Sequence, residues 1–231
     1  LLPLPPAEAH YMTVVLRLTD SSPLELFSGD GTVARGILKT TDAGTAFLVE
    51  TVEKSARGES PLHITLFQAI PKGKRWEWIL EKVCELGVYQ IVPLKTARSV
   101  VQIPDNRVDT KLPRWQKILA SAARQSERTH IPHLSPPLTI QEALNAKAEG
   151  LQLVAHTRQE ALSPLRILES APGPHRSLGI WIGPEGGFTD QEFQSLLEAG
   201  AHPISLGPRI LRADTAPLVA ISLAQAAAGD L

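Results

Sequence analysis

From residue 62 onward the chain alternates short, almost unbroken apolar runs with longer stretches of helical periodicity, and that alternation points to a parallel α/β sheet. "LHITLFQAI" (62–70), "QIVPL" (90–94), "LQLVAHT" (151–157), "SLGIWI" (177–182) and "HPISL" (202–206) read as buried strands. Between the first two, Trp76, Ile79, Leu80, Val83 and Leu86 recur at helical spacing, and Gly87 suits the position just past a helix end. Leu112, Trp115, Ile118, Leu119 and Ala122 make a second helical stripe. Thr189 and Glu192 form a capping-box pattern that predicts a helix to about Ala199. "ADTAPLVAISLAQAAAG" predicts a last helix of small and apolar residues. That helix is apolar on more than one face, so it needs the sheet on one side and a second subunit on another.

Residues 11–53 have a different rhythm. "MTVVLRL", "LELF", "TVARGIL" and "TAFLVETV" are short β-branched or alternating runs, separated by the turns "SGDG" (28–31) and "TDAG" (41–44). Four such strands predict a small barrel. "EKSARGESP" (53–61) is polar, ends in proline and reads as a linker, so two domains are expected, 1–58 and 59–231. At 231 residues and 43 % hydrophobic the chain can bury a substantial core, while a net charge of −1 requires any nucleic-acid surface to be a local basic patch. The single cysteine, Cys84, excludes a disulfide framework and a cysteine zinc site, so no metal is expected and a reducing cytosol fits. No apolar run approaches the roughly 18 residues that span a bilayer. "LLPLPPAEAH" has no basic stretch of the kind that opens a signal peptide, so a cytoplasmic protein is expected. The chain does not begin with Met, and the natural N-terminus is expected upstream.

One event happens twice near the C-terminus: an apolar strand ends, glycine and proline come next, and a helix begins. The first instance is "WIGPEGGFTDQE" (181–192), the second "SLGPRILRADTA" (205–216). In open α/β sheets ligands lie beyond the carboxyl ends of the strands, and glycines there let backbone polar groups approach them closely. The spacing matches neither G-x-G-x-x-G nor G-x-x-x-x-G-K-[ST], so a phosphate cradle is disfavoured. Two readings stand: a pair of tight turns, or loops that read a neutral adenine through backbone hydrogen bonds. Two such loops in tandem favour the second.

"IGPEGGFTDQE" followed by "LGPRILRADTA" closely resembles the ribosomal RNA small subunit methyltransferase E family, within the SPOUT class of knotted methyltransferases. The likeness extends along nearly the whole chain, through "VLRL", "LFSGDG", "SPLHITLFQAIPKGKRWEWILEKVCELGV" and "RWQKILASAARQSERTHIP". It implies an α/β fold with a C-terminal SPOUT trefoil-knot domain, one of the rare knotted topologies, and a small N-terminal PUA-like β-barrel. It also implies a homodimer whose site is completed across the interface. The implied reaction is methylation of N3 of one uridine in the decoding region of 16S ribosomal RNA, expected within the small ribosomal subunit, with S-adenosyl-L-methionine as donor. Carried over residue by residue, the cofactor would meet Ala155 and His156 at the end of one strand. Ile182, Gly183, Pro184 and Gly186 would be met in the first loop, and Leu206, Gly207, Ile210, Leu211 and Thr215 in the second.

Uridine N3 is normally protonated, and its anion spreads onto O2 and O4, so an arginine facing those oxygens lowers the cost of ionisation. Arg212 is the main catalytic candidate; the other reading fastens the loop to a helix end. Arg128, which matches a family arginine, is the second. Asp214 is either a proton acceptor or a cap of the last helix, and the family more often has Thr-Glu where this chain has Ala213-Asp214. Glu185 has the corresponding helix-start reading, and His156 is read as pocket lining rather than a base. Lys72, Lys74, Arg75, Arg98 and Arg128 are candidate RNA contacts, although scattered basic residues usually form a solvated face and Trp76 fits the buried helix stripe. "RQSER" departs from the family's Glu-Gln-Ser-Gly-Arg, so nothing is carried over to Arg124 or Glu127. The rivals are a SPOUT enzyme for another RNA, a non-catalytic RNA-binding module using the barrel alone, and a nicotinamide dehydrogenase. The missing dinucleotide fingerprint disfavours the last.

Overall fold

The computed structural model describes residues 1–42, 44–73, 75–101, 103–146, 150–156, 161–170 and 177–230. They form two compact units: Leu1–Arg57 with Glu127–His130, and Gly58–Ser126 with Ile131–Leu231.

The first unit contains β1 (Leu2–Pro3), α1 (Pro6–His10), a π-helical turn (Tyr11–Val15), β2 (Pro23–Phe27), β3 (Thr32–Thr41) and β4 (Gly44–Lys54). The strands pair antiparallel in the order β1-β4-β3-β2, a path that does not close on itself among the described residues. The expected strand in "MTVVLRL" is not formed. Pro5 and Pro6 start a helix, and it runs on through Val15 because local bonds satisfy the backbone: Thr13 Oγ1 donates to Ala9 O at 2.8 Å, and Leu16 N to Tyr11 O at 2.9 Å. The β preference of Thr13, Val14 and Val15 yields to these contacts, since β propensity depends strongly on having a neighbouring strand. The expected linker also begins later, because β4 runs to Lys54. Glu25 bridges Arg35 and Arg57. Partial burial would raise its pKa, but hydrogen bonds from Arg57 and Arg35 prevail and hold it below the ordinary carboxylate value.

The second unit runs β5 (His63–Ala69), α2 (Arg75–Glu85), β6 (Gln90–Lys95), α3 (Asp105–Gln125), β7 (His133–Leu134), β8 (Leu138–Thr139), α4 (Ile140–Ala146), β9 (Leu151–Ala155), α5 (Pro164–Ser170), β10 (Ser177–Ile182), α6 (Asp190–Glu198), β11 (Ala201–Ile204) and α7 (Thr215–Ala228). Its sheet is ordered β11-β9-β10-β5-β6-β7, with β8 also on β6, and every pairing is parallel. β5 to β6 steps one way across the sheet, while β9, β10 and β11 build the other side. β10 inserts between β9 and β5.

The strand interiors are apolar because helices cover both faces. Phe67 of β5 stacks on Trp181 of β10 with centroids 3.8 Å apart and planes 4° from parallel. Such a pair adds about 0.5–1.5 kcal/mol beyond its buried area. The buried indole N–H of Trp181 donates to Gln152 Oε1 at 2.9 Å. The Gln152 carboxamide lies where a Cβ on Gly179 would project, so the bare backbone there makes room for that hydrogen bond. On the helical layer, Trp76 meets Trp115 edge-on at 5.5 Å, joining α2 to α3 as the two stripes require.

Candidate active site

β9 lies between β11 and β10 in the sheet, so the carboxyl end of β9, Ala155, stands roughly one strand spacing from Ile204 of β11 on one side and from Ile182 of β10 on the other. Each leads into one of the segments singled out in the sequence.

The loop after β10 is a braced turn. Gly187 N donates to Pro184 O at 2.8 Å, and Gly187 sits at φ +67°, a conformation that favours glycine. Arg98 Nη1 donates to Gly186 O and Phe188 O, both at 3.1 Å. The capping box is present: Thr189 N donates to Glu192 Oε2 at 2.8 Å and Glu192 N to Thr189 Oγ1 at 3.2 Å. Glu192 Oε1 also accepts from Ala97 N at 2.8 Å, which ties the loop after β6 to α6. Glu185 plays no part in that cap. Its Oε1 accepts from Lys72 N at 3.2 Å, linking this loop to the one after β5. A Cβ on Gly183 would stand 3.1 Å from Phe188 N and 3.3 Å from Gly187 C, so the loop closes tightly around that position.

The loop after β11 is more open. His156 N donates to Ile204 O at 3.0 Å and Ser205 N to Leu162 O at 2.9 Å, fixing where it leaves the sheet. Gly207 adopts φ +108° with open space on its Cβ side. Leu206 and Leu211 are half-buried, while Ile210 is 85 % exposed. Arg212 presents its side chain to solvent, and its carbonyl accepts from Thr215 N at 3.0 Å and Ala216 N at 2.9 Å, beginning α7. The next two residues are each tied to the region around α2 and β5. Gln68 Nε2 donates to Ala213 O at 3.4 Å, and Arg75 Nε lies 3.4 Å from Asp214 Oδ2. Asp214 occupies the N-cap position without making a side-chain cap bond, because its carboxylate faces Arg75 instead.

Of the expected cofactor positions, Ala155, His156, Ile182, Gly183, Pro184, Gly186, Leu206, Gly207, Ile210, Leu211 and Thr215 all lie on these three strand ends and their loops. The His156 ring rests against Phe193 at 4.2 Å and is half-buried, a lining position. Of the expected RNA contacts, Lys72 and Arg75 sit together at the head of α2. Arg98 is engaged with the first loop, and Lys74 lies outside the described residues. Arg128 is buried and belongs to the first unit, whereas Arg212 belongs to the second. Sequence reasoning passed over Gln68. A single amide inside the apolar run "LHITLFQAI" was the available signal.

A loop pair of this chemistry fits a neutral, planar ligand with an apolar edge. Ile182, Leu206 and Leu211 supply apolar contact, the glycines expose backbone, and Ile210 offers a large side chain that a ligand would cover. A family model described as an RNA methyltransferase domain matches residues 58–225. A ribosomal RNA small subunit methyltransferase E from Synechocystis is 39 % identical over 94 % of this chain and 70 % of its own length. Its Bacillus subtilis counterpart is 33 % identical over 93 % and 86 %. The chain belongs to the ribosomal RNA small subunit methyltransferase E family. Among solved structures, the Neisseria gonorrhoeae member, bound to S-adenosyl methionine, superposes with a TM-score of 0.84 at 34 % identity, covering 96 % of this chain and 90 % of that one. A Legionella pneumophila protein in complex with the same cofactor gives 0.85 at 35 % identity, covering 97 % and 90 %.

Proposed function

We propose that this protein transfers the methyl group of S-adenosylmethionine to N3 of one uridine in the decoding region of small-subunit (16S) ribosomal RNA. The observation that carries the proposal is the pair of glycine–proline loops at the carboxyl ends of β10 and β11, the two strands that flank β9, with Arg212 exposed in the second. Relatives in the same family are named for ribosomal RNA of the small subunit, and two solved neighbours hold the cofactor.

When bound, S-adenosylmethionine supplies an activated methyl carbon for in-line displacement. The residues that would hold it are Ala155 and His156 at the end of β9, Ile182 to Gly186 in the first loop, and Leu206 to Leu211 in the second, with Thr215 beyond. The chain's own task is to position the uracil and help N3 lose its proton. Arg212 would face O2 and O4 as negative charge develops there. Arg128 is assigned a supporting role from the partner subunit, within a homodimer whose C-terminal domain is trefoil-knotted. The N-terminal unit, read as a PUA-like domain, would hold RNA, and Lys72, Lys74, Arg75 and Arg98 would provide the basic face beside the site. A cytoplasmic location fits an enzyme that acts on ribosomal subunits.

The test is incubation with isotopically labelled S-adenosylmethionine and small subunits from cells lacking this gene, followed by mass mapping of the RNA. Label on one decoding-region uridine is expected. A protein that gives no heat with S-adenosylmethionine in calorimetry and leaves the RNA unlabelled is a binding module, and the proposal fails.

A further inference from the structure

We propose that the recess at the head of α2 is a stacking site for one unpaired nucleobase of the substrate strand, with the Trp78 indole as its platform and Lys72 and Arg75 as its phosphate contacts. The proposal rests on the RNA methyltransferase reading and adds to it a specific place for the nucleotide that accompanies the target.

The recess is open, has a volume of about 740 Å³, and is lined by Lys72, Gly73, Arg75, Trp78, Val100 and Glu185. That volume falls within the range of small-ligand sites. All six residues come after the carboxyl ends of β5, β6 or β10, so the recess shares the edge of the sheet where the cofactor loops lie. Glu185 belongs to the first loop, and Arg75 touches Asp214 in the second. A nucleotide held here stands at the mouth of the proposed active site.

Trp78 is the side chain that needs an explanation. α2 turns Trp76, Ile79, Leu80, Val83 and Cys84 into the core. Trp78, two residues from Trp76, falls on the opposite side of the helix. The chain's four tryptophans divide sharply: Trp76, Trp115 and Trp181 are 3, 4 and 0 % exposed, and Trp78 is 43 % exposed. Val100, also exposed, extends the apolar floor. The core makes little use of this indole, and its flat face matches the π-face that every nucleobase offers.

Charge selects RNA over an apolar partner. The carboxylates near the recess are already engaged: Glu185 accepts from the backbone of Lys72 at 3.2 Å, and Asp214 faces Arg75 Nε at 3.4 Å. Lys72 and Arg75, whose side chain is 41 % exposed, line the same recess as the indole. An aromatic face with cations on its rim is the arrangement that holds single-stranded nucleic acid by stacking and backbone contact together.

The exposure pattern makes the test direct, because a base stacking on Trp78 quenches the one solvent-exposed indole. Wild-type protein is titrated with a short single-stranded oligouridylate while tryptophan fluorescence and the anisotropy of labelled oligonucleotide are tracked. Saturable quenching is expected. Trp78→Phe should abolish the quench and keep part of the affinity. Trp78→Ala should weaken binding roughly 5- to 150-fold, the range that one lost base–aromatic stack carries, with S-adenosylmethionine affinity and melting temperature held. In methylation assays the Trp78→Ala loss should fall on KM for RNA more than on kcat. Absence of quenching in the wild type, or oligouridylate affinity unchanged in Trp78→Ala, overturns the proposal. So does a Trp78→Ala protein whose dimer dissociates while its RNA affinity is kept, for then the recess is a subunit contact. If quenching occurs but the wild type neither binds S-adenosylmethionine nor methylates rRNA, the enzymatic reading fails and the nucleobase site stands.

Discussion

The side-chain amide of Gln68 reaches across 145 residues of sequence to the carbonyl of Ala213, at 3.4 Å, and the same Nε2 donates to Ala69 O at 2.8 Å. Gln68 is wholly buried in β5, in register with Ile182 at the end of β10. It therefore stands beside the start of the first loop while holding the second one residue past Arg212. Two carbonyl acceptors fix the amide's orientation, since only its NH₂ end can serve both.

Gln68→Leu should leave a buried carbonyl without its donor, at about 1–3 kcal/mol of stability. Gln68→Glu should do worse as pH rises. Burial raises the pKa of the new carboxyl above its unfolded value of roughly 4.3. A group raised in this way favours the folded state at low pH and opposes it as pH climbs through and beyond the unfolded value. Melting curves from pH 4 to pH 8 should show the Gln68→Glu variant losing stability relative to the wild type. Parallel curves would remove Gln68 as a tether.

Gly183 carries the second prediction. With Phe188 N already 3.1 Å from the ideal Cβ position, the branched side chain of Gly183→Val must push the loop or intrude on the space above it. S-adenosylmethionine affinity should drop at least tenfold, which is ~1.4 kcal/mol. Calorimetry on a variant shown to be folded decides this; normal affinity would mean that the loop after β10 is only a turn.

Assembly supplies the third. α7 buries Ala216, Pro217, Ala220, Ile221, Ala224 and Gln225 and packs on α2, α5, β5 and β10. Leu218, Val219 and Leu223 on the same helix remain only half-buried, as a helix with a partner on a further side would leave them. Light scattering at micromolar concentration should give about twice the chain mass of 25.0 kDa. A mass near that of one chain would rule out the obligate dimer.

What could be read from the sequence depended on how far each signal extended. The long periodic stretches announced β5, β6, β9, β10, α2, α3, α6 and α7, because burial on one or both faces writes a repeating pattern. β7, β8, α4 and α5 are two to seven residues long and carry no such pattern. Residues 11–15 misled because Thr and Val favour strands only where a strand can pair with them, and here a helix begun at Pro6 runs through them. In the site, Gly183 and Gly207 were legible as glycines after apolar strands. The partners that give Arg98, Glu185 and Asp214 their positions were not, since each contact joins segments distant in sequence. Asp214 looked like a cap by its place before α7, yet Arg75, 139 residues earlier, holds its carboxylate.

Arg212 is the sharpest test of the chemistry. Its side chain is exposed while its carbonyl and its neighbours Ala213 and Asp214 are held, so the loop is fastened around Arg212 rather than by its guanidinium. That geometry separates the two readings of the residue. If the guanidinium stabilises charge on the uracil ring, its contribution appears mainly in the transition state, and Arg212→Ala should lower kcat roughly 10²–10³-fold with little change in cofactor or RNA affinity. Arg212→Lys should recover only part, because an ammonium cannot span O2 and O4 as a planar fork does. If the guanidinium fastens the loop instead, melting temperature and cofactor affinity should fall together. Single-turnover methylation at saturating cofactor and RNA, set beside a melting curve, distinguishes them. An Arg212→Ala protein that melts normally and methylates at the wild-type rate takes Arg212 out of the mechanism, and the same assay on Arg128→Ala then tests the contribution assigned to the partner subunit.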